Sequence, residues 1–141
     1  MARISVVRDA GMRFTADIRG HRVTYDQPVA AGGTDAGPTP TEAFVASLAG
    51  CIAYYVERFL ARHDVSADGL RVTADFAMAQ HPSRVEVVDV GIVLPIDLPG
   101  ELRAPLLAVA NHCTVHNSIT LPPDVRIALG TLLVHRETAA V

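Results

Sequence analysis

The sequence predicts a single α+β domain, and three observations carry this prediction. Apolar and polar residues alternate with a period of two in the first and the middle part of the chain, a capping signal opens a long apolar stretch between them, and a second helical stretch follows. Antiparallel hairpins separated by helices lack the βαβ alternation of a parallel sheet. The 141 residues suffice for one core and are too few for two domains.

The N-terminal part is predicted to form strands. Apolar and polar residues alternate over 12–19, and a turn at Arg19-Gly20-His21 leads into a second alternating stretch over 21–26. An opening strand is expected around Ile4–Val7. The Pro- and Gly-rich residues 27–37 indicate a loop.

The strongest local signal is Thr39-Pro40-Thr41-Glu42, which combines a capping Thr, a Pro at the first helical position and a Glu at the third. It predicts a helix that ends near His63 or Asp64. The stretch without charge from Ala43 to Val56 is too short to span a bilayer, so we expect a buried helix and no membrane segment.

A hairpin is predicted next. Alternation over 72–78 indicates one strand, His81-Pro82-Ser83 a turn, and 84–94 the return strand, in which the apolar phase slips between Val87 and Val88 and indicates a bulge.

The last predicted elements are a helix and a strand. The helix covers about Glu101–His112, with its regular part expected to begin near Arg103 or Ala104, because Pro105 lacks a donor. A closing strand is expected over Val125–Val134.

Composition excludes several classes of function. All 12 basic residues are arginine and the formal charge is −3, so a lysine Schiff base, a Walker-type phosphate loop, a polybasic membrane patch and nucleic-acid binding are not expected. The N-terminus lacks the apolar core of a signal peptide, so a cytoplasmic location is expected. In that compartment, two cysteines are more often free, catalytic or metal-bound than a structural disulfide.

The two cysteines, Cys51 in the long helix and Cys113 after the second helix, are the candidate reactive groups. Both lie where a core-facing helix surface meets another element, so they can meet in space. Cys51 can equally be a buried small hydrophobe. His112, Cys113 and His116 could offer metal ligands, but no second Cys or His pair completes a site, so no metal is expected.

Three segments together resemble the OsmC/Ohr family, the osmotically inducible and organic hydroperoxide resistance proteins. They are residues 37–42 (Gly-Pro-Thr-Pro-Thr-Glu), residues 46–51 (Ala-Ser-Leu-Ala-Gly-Cys) and residues 113–119 (Cys-Thr-Val-His-Asn-Ser-Ile). The resemblance covers essentially the whole chain. It implies antiparallel sheets packed around a long central helix and a second helix, in an intertwined homodimer with active sites at the subunit interface.

The implied activity is thiol-dependent reduction of organic hydroperoxides. On this resemblance Cys51 is the peroxidatic cysteine, Cys113 resolves its sulfenic acid to a Cys51–Cys113 disulfide, and an external dithiol reduces the disulfide. No cofactor is implied. Similar proteins commonly have Pro after the second cysteine, where this chain has Thr114, which leaves that turn less rigid.

The family pairs its cysteines with a glutamate and an arginine. Glu42 is the only acid near the helix start, although the hydroperoxide-resistance branch has its Glu one residue earlier, at Thr41 in this chain. Glu42 lies on the opposite side of the helix from Cys51 and about 13 Å along it, so only the Glu42 of a partner helix could serve that cysteine. Helix capping is the alternative role. Arg13 is nearest to the expected arginine, with Arg22 second.

Two functions follow from the sequence. The first is a thiol peroxidase for apolar organic hydroperoxides. The alternative is a non-enzymatic dimeric module that binds an apolar ligand or senses redox state through Cys51 and Cys113.

Overall fold

The structure, a computed structural model, describes residues 2–130. Its first unit is a three-stranded antiparallel sheet of β1 (Ile4–Ala10), β2 (Arg13–Ile18) and β3 (His21–Tyr25), in the order β1-β2-β3. All three strands confirm the predictions. A two-residue turn joins β2 to β3, and its residues Arg19 and Gly20 both have positive φ, 55° and 83°. Such turns match the twist of the strands they join.

Helix α1 (Pro40–Arg62) begins where the sequence predicts it. The Thr39 hydroxyl accepts a hydrogen bond from the Glu42 amide at 3.2 Å, and the Glu42 carboxylate accepts one from the Thr39 amide at 2.7 Å. This reciprocal capping box satisfies two amides that the first turn leaves without helical partners. By length and composition α1 could also cross a membrane, a test that core helices of soluble proteins pass as well.

Two long strands, β4 (Arg71–Gln80) and β5 (Ser83–Val93), form the second sheet as an antiparallel hairpin. The predicted bulge is present one residue earlier than expected. Ala77 pairs with Val87 and Met78 with Val85, which leaves Glu86 as the additional residue. The inserted residue re-phases the strand, so that Val88, Val90 and Ile92 contact the core together.

The C-terminal part differs from the prediction in three ways. Helix α2 (Gly100–Ala110) is regular from Gly100 onward, three to four residues before the start expected near Arg103 or Ala104. In an ordinary helix the amide at position 105 would donate to the carbonyl of Glu101, in the first turn. Pro105 has no such amide, but water can solvate that carbonyl because both residues are exposed. A short helix, α3 (Thr114–Thr120), was not predicted.

The third difference is the predicted strand over Val125–Val134. Residues 125–130 form no regular secondary structure and are exposed, and residues 131–134 lie outside the described part of the chain. Alternation of apolar and polar residues suits a segment to a sheet. A strand also needs a neighbouring strand to bond its backbone amides and carbonyls.

The hydrophobic core forms around α1, which packs against β4, β5, α2 and α3. One face of α1 supplies Leu48, Ile52, Val56, Phe59 and Leu60, and both Val56 and Leu60 are completely buried. Burial of each such side chain contributes about 1.5–3 kcal/mol. No residue of β1, β2 or β3 belongs to this cluster among residues 2–130, so the N-terminal sheet lies outside the core.

The loop between β3 and α1 is organised by the buried carboxylate of Asp26. Asp26 accepts hydrogen bonds from the Thr34 hydroxyl and from the amides of Gln27, Thr34 and Ala36. The loop passes close to the chain that it leaves, because a Cβ on Gly33 would lie 1.9 Å from the Gln27 carbonyl oxygen. The Thr34 hydroxyl, with the three amides, lowers the pKa of Asp26 from 3.8 to about 2, against the opposing effect of burial.

We expect Asp26→Asn to reduce the acid dependence of stability. Because the pKa of Asp26 is lower in the folded chain than in the unfolded chain, its contribution is complete above the ordinary value of 3.8 and is lost as the pH falls toward about 2. Urea unfolding over this range should therefore show a smaller decrease in midpoint for the variant than for the wild type. Asp35→Asn is the matched control in the same loop, since Asp35 is exposed. Equal decreases in wild type and Asp26→Asn would contradict the role of this carboxylate.

Candidate active site

Cys51 lies near the midpoint of α1, at the edge of the face that packs into the core. Its side chain is half-buried and packs against the core cluster, which includes Cys113. The residues on either side of it along the buried face, Leu48 and Ile52, are buried. The thiol is therefore held in an apolar environment with partial access from outside.

Cys113 occupies the position before the first residue of α3 and is completely buried. Its backbone is extended, with φ −65° and ψ 152°, and its Sγ accepts a hydrogen bond from the His116 amide at 3.4 Å. The sulfur thus caps the helix, a role in which Ser, Thr, Asp and Asn are the usual residues.

Both thiols are free, and Cys51 packs against the buried cluster that contains Cys113. Burial is the largest effect on Cys113 and raises the pKa of its thiol; the neighbouring Cys51 raises it further, and the amides of His116 and Val115 act in the opposite direction. Cys113 is therefore a protonated thiol at neutral pH. The packing of α3 against α1 brings together the two cysteines that are 62 positions apart in the sequence.

A hydrogen bond between side chains joins α1 to α3 beside the thiols. The hydroxyls of Tyr55 and Thr114 are 2.9 Å apart, and either can donate. Tyr55 lies one helical turn after Cys51, and Thr114 directly follows Cys113.

A cavity of about 280 Å³ is lined by Ile52, which follows Cys51 in α1, and by His116, whose amide donates a hydrogen bond to the Cys113 sulfur. Its walls come from α1, β5, α2 and α3 and are apolar except at Asn111 and His116; the lining residues are Leu48, Ile52, Val88, Val90, Ile92, Leu107, Ala110, Asn111 and His116. The cavity has the volume and the apolar lining of a site for a small ligand with few polar groups.

Glu42 lies in the first turn of α1, whereas Cys51 lies near the midpoint of the helix. Its carboxylate accepts hydrogen bonds from the Thr39 amide and, at 3.0 Å, from the Thr39 hydroxyl. The capping role is thus realised within the chain. Nine residues of helix separate Glu42 from Cys51, about 13 Å along the axis.

The arginines expected near the thiols have other contacts. Arg13 lies on the N-terminal sheet, where its Nε is 3.9 Å from the carboxylate of Asp9, and it lines a polar cleft of about 490 Å³ together with Arg22. Arg58, on α1, lies against Tyr54, with its Cζ 5.6 Å from the ring centroid. No element of the N-terminal sheet packs extensively on a helix within residues 2–130, so neither Arg13 nor Arg22 is brought to Cys51 by its own chain.

Among residues 2–130, no three His, Cys, Asp or Glu side chains lie together in an arrangement that could hold a metal ion. His112 instead places its Nδ1 2.7 Å from the Ala108 carbonyl oxygen.

Sequence reasoning missed two features of the site. These are the helix that Cys113 caps and the bond between Tyr55 and Thr114. The segment Thr114–Thr120 is short and has only two apolar residues, Val115 and Ile119, at the spacing of a helix. The other local signal was the spacing of Cys113 and His116, which is that of a capping residue and the third residue of a helix.

The fold and the site together define a class of protein: an α+β chain that holds two free thiols between a long apolar helix and a short helix. The family model of the OsmC-like proteins matches residues 33–128, more than half of the chain. The chain belongs to this family, which confirms the resemblance seen in the sequence. None of the curated proteins compared with it matches in sequence.

Solved structures share the fold. A protein from Psychrobacter arcticus, named for osmotic stress induction and detoxification response, matches this chain with a TM-score of 0.78 and 22% identity. The match covers 84% of this chain and 88% of that chain. An OsmC-like protein from Mycoplasma pneumoniae has a TM-score of 0.72 and 17% identity, over 85% and 87%. A Legionella pneumophila protein named for organic hydroperoxide resistance has a TM-score of 0.59 and 18% identity, over 84% and 88%.

Variants of Glu42 separate capping from chemistry. Glu42→Gln keeps a side chain that can accept the Thr39 amide, so the free energy of unfolding should change little, whereas Glu42→Ala should lower it by about 0.5–1 kcal/mol. Glu57→Ala is the control, because Glu57 is an exposed acid on α1 outside the cap. Urea unfolding measures all three. Equal losses in Glu42→Ala and Glu57→Ala would contradict the capping role, and a loss of peroxide reduction in a stable Glu42→Gln would assign the charge to catalysis.

Proposed function

We propose that the protein is a thiol peroxidase that reduces organic hydroperoxides to alcohols. The observation that carries the proposal is the packing of the half-buried free thiol Cys51 against the cluster that contains the buried free thiol Cys113, with their neighbours Ile52 and His116 lining an apolar cavity. A peroxidatic thiol must be reached by the substrate, and a resolving thiol must lie within reach of the first. Their different exposure supports Cys51 in the first role and Cys113 in the second.

The reaction takes place in two steps. The Cys51 thiolate attacks the terminal oxygen of the hydroperoxide, the O–O bond breaks, and the leaving alkoxide takes a proton to become the alcohol, which leaves Cys51 as a sulfenic acid. Cys113 then attacks the Cys51 sulfur, the S–S bond forms, the S–O bond breaks, and hydroxide leaves and combines with the Cys113 proton as water. An external dithiol returns both cysteines to thiols by two successive exchanges.

The cavity supports an apolar substrate. Aliphatic side chains of three elements surround it, and they would contact an alkyl group better than they would solvate hydrogen peroxide. Its two polar side chains, Asn111 and His116, lie on the side of α2 and α3, toward Cys113. An alkyl hydroperoxide would thus place its carbon chain against β5.

A homodimer is part of the proposal. Strand β1 exposes Ile4 and Val6 to 60% and 56%, and the face of α1 turned away from the core exposes Tyr54 to 56%. At Gly50, on that same face of α1, an added Cβ would meet no atom within 4 Å. Apolar surface of this extent is typical of an interface between chains. A second copy would cover it and could bring its Arg13 to Cys51, where a guanidinium would stabilise the thiolate.

The same cavity favours a second function. A dimeric module that binds an apolar ligand, with the thiols as a redox sensor, would use these walls without turnover. The two functions differ in whether peroxide converts the thiols at all. The proposed peroxidase would act in the cytoplasm, where reducing dithiols are available.

The dimer is tested through Gly50. Light scattering on the purified chain should give about twice the 15.0 kDa of one chain, and Gly50→Gln should shift the mass toward that of one chain. The Cβ of the added side chain meets no atom of its own chain within 4 Å at this exposed position, whereas a second copy packed on α1 would collide with the side chain. Gly100→Gln is the control, since the space at Gly100 is also free and α2 begins there. A wild-type mass of one chain would contradict the dimer.

Peroxidase activity is tested on the reduced protein with one equivalent of cumene hydroperoxide. The wild type should form an intramolecular Cys51–Cys113 disulfide, Cys113→Ser should stop at a Cys51 sulfenic acid that dimedone traps, and Cys51→Ser should keep its thiol and leave the peroxide intact. Mass spectrometry of the intact protein distinguishes these products. Two unmodified thiols in the wild type would overturn the proposal and favour the binding module.

A further inference from the structure

The contact between Tyr55 and Thr114 differs from all other side-chain hydrogen bonds of residues 2–130. Its two hydroxyls belong to residues 59 positions apart, whereas every other such bond in that range joins residues at most ten positions apart. It is thus a tertiary contact in a chain whose side-chain hydrogen bonds are otherwise local. It joins α1, which carries Cys51, to α3, whose first turn is capped by Cys113.

The attachment of α3 combines this contact with the packing of Val115 and the buried Cys113 on the core. The helix has seven residues, none of them buried, and its own side-chain bonds run within the segment or to the adjoining residue His112. A helix this short has little stability of its own. Its first residue is Thr114, the position at which Pro would restrict the backbone most. The hydrogen bond from Tyr55 supplies that restriction from outside the segment.

We propose that Tyr55 and Thr114 are positioning residues that hold Cys113 against Cys51 for disulfide formation. This inference rests on the proposed peroxidase function and adds residues to its second step. Neither hydroxyl touches the reacting atoms; each is bonded to the element that carries one of the two sulfurs. With the bond present, the first turn of α3 keeps the Cys113 sulfur beside Cys51. Without it, that turn samples additional positions, so the Cys113 sulfur lies against Cys51 for a smaller fraction of the time.

The Tyr55–Thr114 hydrogen bond would act on the geometry of disulfide formation and would transfer no proton in that step. Attack of the Cys113 sulfur on Cys51 forms the S–S bond and releases hydroxide, which leaves as water with the Cys113 proton. A bond that keeps the two sulfurs adjacent raises the rate of this step, because the loss of freedom has already occurred in the reduced protein. Thr114 is exposed and Tyr55 half-buried, so water competes for both hydroxyls and the expected effect is moderate.

The test is rapid-quench mass spectrometry of the reduced full chain after cumene hydroperoxide, with dimedone added to compete for the sulfenic acid. Tyr55→Phe and Thr114→Val should form the Cys51 sulfenic acid at the wild-type rate and close the disulfide about threefold to tenfold more slowly, as expected for loss of one hydrogen bond. The dimedone adduct should increase accordingly. The double variant should be no slower than either single one, because both remove the same bond.

The controls separate positioning from a general loss of structure. Thr114→Ser keeps the hydroxyl and should restore closure, and Thr114→Pro should restore it by restricting the backbone. Tyr54→Phe removes the neighbouring hydroxyl, which faces Arg58, and should have no effect. Unchanged closure in both Tyr55→Phe and Thr114→Val would overturn the inference.

A second oxidant keeps this inference distinguishable from the proposed function. Diamide converts two thiols to a disulfide without a peroxide, so it reports the approach of Cys113 to Cys51 alone. Slower closure with diamide in both variants supports the positioning role even if cumene hydroperoxide leaves the thiols unmodified, in which case only the peroxidase proposal fails. Equal closure with diamide in wild type and variants overturns the positioning role.

Discussion

Burial of one face of α1 is the constraint on which the remaining structure depends. Each of the other elements of the core, β4, β5, α2 and α3, contacts that face. Because Cys51 lies at the edge of the buried face, the packing that excludes water from Leu60 and Val56 also determines which way the thiol points. The meeting of Cys51 with Cys113 is thus a result of hydrophobic packing, and the capping box at Thr39 and Glu42 determines where the helix that carries it begins.

Local chemistry made much of the fold predictable. A period of two identifies β2 and β4 because a half-buried strand alternates its faces, and the capping box identifies the first turn of α1 because its bonds lie within four residues. Features that depend on unusual chemistry or on contacts outside a single element could not be predicted. The cap at Cys113 uses an unusual acceptor, the Asp26 network folds a loop back on itself, and residues 125–130 have the pattern of a strand but pair with no strand within residues 2–130.

The same distinction between locally predictable and unpredictable features applies to the candidate site. The sequence and its resemblance identified both cysteines, and one chain is enough to bring them together. Glu42 and Arg13 are different, since the first caps its own helix and the second pairs with Asp9 on a sheet outside the core. Their roles toward Cys51 stay predictions because they depend on a second chain, whose arrangement is not encoded in any local pattern.

The cap at Cys113 couples the redox state of the thiol to the local stability of the chain. In the reduced protein its sulfur accepts the His116 amide. A sulfur engaged in a second covalent bond is a poorer acceptor and is held in a different direction, so oxidation weakens the first turn of α3. By thermodynamic linkage, whatever free energy the cap contributes to the reduced form is missing from the oxidised form, and the reduction potential rises by the same amount. In the proposed peroxidase, the short helix would therefore favour return from the disulfide to the dithiol, the state from which a new cycle would begin.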